Sequence, residues 1–156
     1  MADCIFCGIT AGTTPSEKVN ETPTAVVVMD VFPEAEGHCL IIPKKHYVKP
    51  SDIPADEFHS LMELVVRVQE SVLKSGLGMG TNIIQNYWPY IPQGKYKIDH
   101  VHFHVIPRNP GDTLEKKPAK VEQLKQDADL LRKALEELYP QPVAPVAKPP
   151  VVAPKK

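Results

Sequence analysis

Asp99-His100-Val101-His102-Phe103-His104-Val105-Ile106-Pro107 sets three of the chain's six histidines at alternate positions. Strict alternation on a β-branched and aromatic frame predicts a strand over 101–106, closed by Pro107. Successive side chains of a pleated strand face opposite ways. His100, His102 and His104 should therefore share one face at roughly 7 Å intervals, with Val101, Phe103 and Val105 on the other. The apolar set turns to a core, and the imidazoles line an open groove. Three readings follow: a solvated face, a transition-metal site, or a catalytic centre in which one imidazole attacks and another donates. Solvated strand faces favour Thr, Lys and Glu, so the first explains three histidines poorly. Spacing alone leaves the other two open.

Outward from this stretch, the β-branched run Ala25–Met29 reads as a strand ending at Asp30, and Cys39–Ile42 as a second, stopped by Pro43. Asn82–Gln85 reads as a further strand. Phe58, Leu61, Met62, Val65, Val68 and Val72 recur at helical spacing, predicting a helix from about Pro54 to Lys74, capped by Ser51 or Asp52 and ended by Gly76. A second amphipathic helix is expected over Val121–Leu138, with Leu124, Leu131, Leu135 and Leu138 along one side. Short strands around one long helix predict an antiparallel α+β domain. From Pro140 the chain runs PQPVAPVAKPPVVAPKK. This has no periodic apolar face and reads as a disordered Pro-rich tail (140–156) behind a domain of residues 1–139.

The 156 residues suit one domain, and the net charge of -1 excludes a basic field for collecting nucleic acid. No apolar run reaches the ~20 residues of a membrane span, and Met1-Ala2-Asp3-Cys4 lacks the features of a secretory signal. The expectation is a protein of the cytoplasm, with the nucleus also open, and with no nucleic-acid or membrane partner. Cys4, Cys7 and Cys39 are too few and too uneven for a disulfide framework, which raises the question of a metal at Cys4-x2-Cys7.

HVHFHVI resembles the His-φ-His-φ-His-φ-φ signature (φ apolar) of the histidine-triad superfamily of nucleotide hydrolases and transferases. IFCGI, MDVFPEAEGHCLIIPKKH, IIQN and DHVHFHVIPR extend the likeness in order over Cys4 to Arg108, and look like the Hint branch of adenosine phosphoramidase-like proteins. The resemblance implies a five-stranded antiparallel sheet with a long central helix and a C-terminal helix, and a homodimer paired through the long helices and sheets. It implies that His102 attacks the α-phosphorus of a purine nucleotide (AMP, GMP or an adenosine phosphoramidate) and forms a nucleotidyl-histidine. The His100 carbonyl holds the attacking tautomer, and His104 contacts the phosphate and helps the leaving group depart. His38 lies near the nucleophile, or is simply a satisfied core histidine.

By the same resemblance Asp30 binds the ribose hydroxyls, as an acceptor-only carboxylate suits a vicinal diol. Phe6, Ile9, Val28 and Val31 form an apolar slot for the base, and Asn86 touches the phosphate. Without the resemblance Asp30 reads as a turn residue and the four apolar residues as ordinary core. The chain departs from the family pattern after Asn86. The usual glycine-bearing loop and Gly-Gln-Ser/Thr-like stretch are replaced by the longer aromatic and basic run Tyr87–Asp99, where Lys95 or Lys97 could supply positive charge to the phosphate.

Some relatives close a tetrahedral zinc with a CxxC pair, a histidine after the second strand and the first triad histidine; here these are Cys4, Cys7, His46 and His100. The alternative is two thiols and a surface histidine. The implied zinc is structural, and no cofactor is needed for catalysis. Two rival functions stay open: a dinucleoside polyphosphate hydrolase like the Fhit branch, and a nucleotide-binding interaction module with little turnover.

Overall fold

The computed structural model describes residues 4–88 and 98–142. Two runs of five residues, Ala25–Met29 and Cys39–Pro43, are buried at every position, so both sheet faces must be covered. Alternation divides them. Ala25, Val27, Met29, Cys39 and Ile41 join one apolar cluster, while Val26, Val28, Leu40 and Ile42 join another on the opposite face. Each fully buried Val, Leu or Ile contributes about 1.5–3 kcal/mol relative to exposure, so both clusters hold the sheet.

In chain order the elements are α1 (Ile5–Thr10), β1 (Lys18–Glu21), β2 (Ala25–Met29), β3 (Cys39–Pro43), α2 (Ala55–Ser75), β4 (Gly80–Ile84), β5 (Phe103–Arg108) and α3 (Val121–Leu138). The strands form one antiparallel sheet in the order β1-β2-β3-β5-β4. This is the expected α+β architecture. Helices α2 and α3 cover the first face through Leu61, Leu64, Val65, Val68 and Val72, and through Leu124, Ala128, Leu131 and Leu135. The short α1 lies on the second face, with Phe6 buried in its cluster. No helix among the described residues is long and apolar enough to cross a membrane.

Several boundaries differ from expectation. Neither Ser51 nor Asp52 caps α2: the 3-10 turn Pro50–Asp52 and the extended Ile53 precede Pro54, which occupies the N-cap without a side-chain hydrogen bond. Proline forces its predecessor out of helical conformation, separating the would-be caps from the helix, and Asp56 and Glu57 complement the N-terminal dipole instead. Gly76 does end α2, at φ 79°. Leu138, expected on the apolar side of α3, is exposed at that helix's end.

Strand β5 begins two residues later than expected, at Phe103, and continues through Pro107 to Arg108. The Arg108 carbonyl accepts Met79 N–H on the β4 side, so the missing N–H of Pro107 falls on the other side. There the pairing with β3 has already ended at Cys39–Val105. A proline at that point forfeits no ladder bond. Strand β1 and helix α1 lie outside the elements expected from the sequence. The first is four residues with one buried side chain, and the second is six residues with no side-chain cap.

Candidate active site

The triad is not one row of equivalent rings. His100 precedes β5 and is 1% exposed, whereas His102 and His104 are partly buried. Val101 N–H donates to the Tyr47 carbonyl at 2.8 Å, which turns the chain before the ladder begins. The rings of His102 and His104 tilt toward each other, with centroids 5.0 Å apart, closer than a straight pleat allows.

His102 Nδ1 lies 2.8 Å from the carbonyl oxygen of His100. A carbonyl only accepts, so Nδ1 carries the proton and Nε2 keeps its lone pair. Burial pushes the His102 imidazole below its ordinary value, opposed by that hydrogen bond and by the Asp30 carboxylate. A neutral imidazole with a free Nε2 is a nucleophile at neutral pH. The edge of Phe6 packs on it, with ring centroids 4.8 Å apart at 82°.

A second chain of bonds sets the tautomer of His104. Glu34 N–H donates to His38 Nδ1 at 3.0 Å, which leaves the proton of neutral His38 on Nε2. That nitrogen stands 2.9 Å from His104 Nδ1. His104 therefore accepts at Nδ1 and carries its own proton on Nε2, available for an external acceptor. Burial, then the neighbouring His102 and His38 rings, push His104 down to about 4. His38 is fully buried and also lowered, mainly by desolvation. This arrangement makes His104 a neutral hydrogen-bond donor at pH 7 rather than an acid.

Asp30 directly follows β2, beside this pair. Its Oδ1 accepts Phe32 N–H at 2.9 Å, and its Oδ2 lies 3.5 Å from His38 Nε2. The carboxylate thus makes the turn that a strand-end aspartate commonly makes, and it also faces the histidines. Phe6, Ile9 and Val28 gather in the second apolar cluster with Val26, Leu40 and Ile42. Val31 does not join them and is 53% exposed. Asn86 is exposed just beyond β4. The β4–β5 ladder ends two residues before it, at the pair Ile84–His104. Lys95 and Lys97 lie outside the described residues, as do most of the Tyr87–Asp99 loop and the tail from residue 143.

The remaining expected residues converge at a separate point. His100 Nε2 donates to the Pro43 carbonyl at 2.8 Å, so the lone pair sits on Nδ1. That atom is 3.5 Å from Cys4 Sγ and 3.6 Å from Cys7 Sγ, while His46 Nδ1 is 3.3 Å from Cys7 Sγ. All four ligand atoms lie within 4.8 Å of one another. Tetrahedral zinc, with bonds of roughly 2.3 Å to sulfur and 2.0–2.1 Å to nitrogen, spaces its ligands about 3.4–3.8 Å apart. The set fits in kind and number, its three sulfur–nitrogen contacts of 3.3–3.6 Å fall near that spacing, and the Pro43 carbonyl supplies the outer contact that orients a ligating imidazole. Asp30, His38 and His104 also cluster within 4.8 Å. They do not suit a cation, because Glu34 N–H already occupies the only lone pair of neutral His38. The third thiol, Cys39, is fully buried and pushed up to about 12, mainly by desolvation.

The Pro43 carbonyl, the Glu34 amide and Asp127 lie outside the residues expected from the sequence. The first two are main-chain atoms and carry no residue-type signal. Asp127 does: it interrupts the apolar stripe of α3 one residue before Ala128 and is 2% exposed.

A family model described as the HIT domain matches residues 11–111. An uncharacterised HIT-like protein of Methanocaldococcus jannaschii is 38% identical over 109 residues, 70% of this chain and 81% of that protein. An adenosine 5'-monophosphoramidase of Candida albicans is 40% identical over 112 residues, 69% of this chain and 71% of that protein. A zinc-bound histidine triad family protein of Mycobacterium smegmatis matches in structure at a TM-score of 0.76 and 31% identity, covering 88% of this chain and 96% of that one.

Proposed function

Because the chain belongs to the HIT domain family, we propose that it is a nucleotide hydrolase that cleaves purine nucleoside 5'-phosphoramidates through a nucleotidyl-histidine at His102. The observation that carries this reading is the 2.8 Å bond from His102 Nδ1 to the His100 carbonyl, which leaves Nε2 unprotonated beside a second, donor imidazole. The adenosine 5'-monophosphoramidase activity named for the Candida albicans relative supports the substrate class.

His102 Nε2 attacks the α-phosphorus. A nitrogen–phosphorus bond forms as the bond to the amine breaks, and the amine leaves with the electron pair and takes a proton from solvent. Water then attacks the same phosphorus, releases the nucleoside monophosphate, returns a proton to solvent and restores His102. The Nε2–H of His104 donates to the phosphate as its charge grows, and the hydrogen bond from His38 keeps that proton in place. Phe6, Ile9 and Val28 form the apolar wall against which the base packs, with Val31 at its exposed margin. Asp30 accepts from the ribose, and Asn86 approaches the phosphate.

Cys4, Cys7, His46 and His100 would hold a zinc ion, supported by the zinc-bound relative of Mycobacterium smegmatis. Such an ion would tie the Cys4–Cys7 segment to His46 and His100, and a closed set of four protein ligands would give it a structural part. The long α2 and the edge strand β4 are the elements through which two copies would pair. The Pro-rich stretch 140–156 is an extension beyond the domain of residues 1–139, and at its start the Gln141 carbonyl accepts from Arg67 Nη1 at 2.9 Å.

Intact-protein mass spectrometry after rapid quenching with an adenosine phosphoramidate tests the central step. A transient increase of one adenylyl group in the wild type, absent from His102→Ala, is the expected result. No adduct and no turnover in either protein, despite measurable AMP binding, would leave an interaction module instead. Turnover of a dinucleoside polyphosphate in preference to the phosphoramidate would move the substrate class.

A further inference from the structure

Helix α3 begins ten residues beyond the region matched by the family domain, which ends at 111. It nevertheless sends a carboxylate to the loop between Asp30 and His38. Asp127 is 2% exposed, and its Oδ2 accepts the Gly37 N–H at 2.9 Å. Its Oδ1 accepts Gln123 Nε2 at 2.8 Å, so both oxygens are engaged and the side chain is held. A buried charge is costly unless hydrogen-bonded, and here a buried main-chain donor in another element provides part of that compensation.

Gly37 can take no side chain at this place. Its φ is 79°, and an added Cβ would lie 2.9 Å from Leu77 Cδ1 and 3.2 Å from Pro107 Cγ. The loop is thus seated against Leu77 and Pro107 on one side and bonded to Asp127 through its amide. The bonded amide belongs to the residue before His38. The same short turn carries the Glu34 N–H that bonds His38 Nδ1, and His38 N–H donates to the Ala35 carbonyl at 3.1 Å. Movement of Gly37 therefore displaces both the His38 ring and the donor that sets its tautomer.

We propose that Asp127 is a positioning residue: by holding the Gly37 amide it fixes the Glu34–His38 turn, and through it the His38-to-His104 hydrogen bond that keeps a proton on His104 Nε2. This rests on the function proposed above only for its effect on rate; the effect on the rings stands apart from it.

The test compares Asp127→Asn, which keeps an acceptor for Gly37 while Gln123 turns its amide, with Asp127→Leu, which fills the space without one. Alanine replaces leucine should the branched side chain not fit, and circular dichroism checks folding. Long-range proton–nitrogen spectra of the histidine rings report each tautomer directly. The wild type and Asp127→Asn should show His38 and His104 as Nε2–H only. Asp127→Leu should show a mixture of tautomers and lose at least about tenfold in kcat on an adenosine phosphoramidate, a fraction of what one well-placed donor contributes.

Unchanged tautomers in folded Asp127→Leu would overturn the proposal. So would an equal loss in Asp127→Asn, because the effect would then lie in charge rather than in the acceptor. In the unmodified protein, a Gly37 amide that exchanges with solvent as fast as an open loop would overturn it without any variant. Absence of phosphoramidase turnover in the wild type, with the tautomers behaving as described, would sink the substrate class and leave the role of Asp127 intact.

Discussion

His100 holds His102 through its carbonyl at 2.8 Å and turns its own ring the other way, with Nδ1 3.5 and 3.6 Å from the sulfurs of Cys4 and Cys7. One residue thus joins the proposed nucleophile to the cysteine–histidine cluster. Zinc bound there should raise the melting temperature by about 10 °C, since a tightly bound ligand adds roughly 4 kcal/mol at a thousandfold excess over its dissociation constant. Calorimetry before and after exhaustive chelation, with zinc quantified by atomic emission, checks this. Cys4→Ser should reproduce the chelated protein. A preparation without zinc whose melting point ignores added metal would remove the ion from the account.

The acid side of the activity profile should lie low. His102 is held below its ordinary 6.5 by burial, so the nucleophile stays unprotonated into mildly acidic solution. The acid limb of kcat/KM should have its midpoint below pH 6.5, and a midpoint at or above that value would contradict the buried, carbonyl-bonded ring.

Stability should follow the same groups. His104 titrates at about 4 when folded and near 6.5 when unfolded. Its contribution is fully present above pH 6.5. Between 6.5 and about 4 the unfolded chain binds a proton that the folded chain refuses, and stability falls; below about 4 the loss levels off. Urea midpoints across that range should fall less steeply for His104→Ala than for the wild type. Parallel curves would mean that the ring is not desolvated as described.

Removing the donor at position 104 should slow chemistry without abolishing the covalent step. His104→Ala is expected to lose about 10²–10³ in kcat, the usual cost of one donor aimed at developing charge. Single-turnover kinetics should still detect an adenylyl adduct on His102. A loss matching that of His102→Ala would instead assign His104 a part in forming the bond.

Phe6 serves both packing and the proposed base slot. It is 5% exposed within the α1-side cluster and meets His102 edge-on. Phe6→Ala should cost about 3 kcal/mol in chemical denaturation. It should also weaken AMP binding about tenfold, the low end of what one hydrophobic contact discriminates. Loss of stability with unchanged AMP affinity would place the base elsewhere.

Much of the architecture is legible because its residues alternate or repeat. Val101, Phe103 and Val105 announce the central strand, and Leu61, Val65, Val68 and Val72 announce α2. What escaped is carried by short segments or by the backbone. Helix α1 has too few residues to show a period, and β1 buries only Val19. The triad histidines were legible as a set but not in their separate surroundings. The burial of His100 depends on the Pro43 carbonyl and on two cysteines 96 and 93 residues away. Asp127 was visible as a charge on an apolar stripe, but its partner is an amide 90 residues distant, and no periodicity encodes that pairing.

The orienting contacts of His38, His100 and His102 share one property: each ends on a main-chain atom, the Glu34 amide, the Pro43 carbonyl and the His100 carbonyl respectively. Side-chain replacement at Glu34 leaves its amide in place, and replacement at His100 leaves its carbonyl. An alanine scan of this protein would accordingly register the imidazoles, and Asp127 through the turn it holds, and pass over these three main-chain atoms. Variation among related chains can therefore replace the side chains of Glu34 and Pro43 and still preserve the proton arrangement of these rings, provided the backbone, with the turn that Asp127 holds, keeps its course.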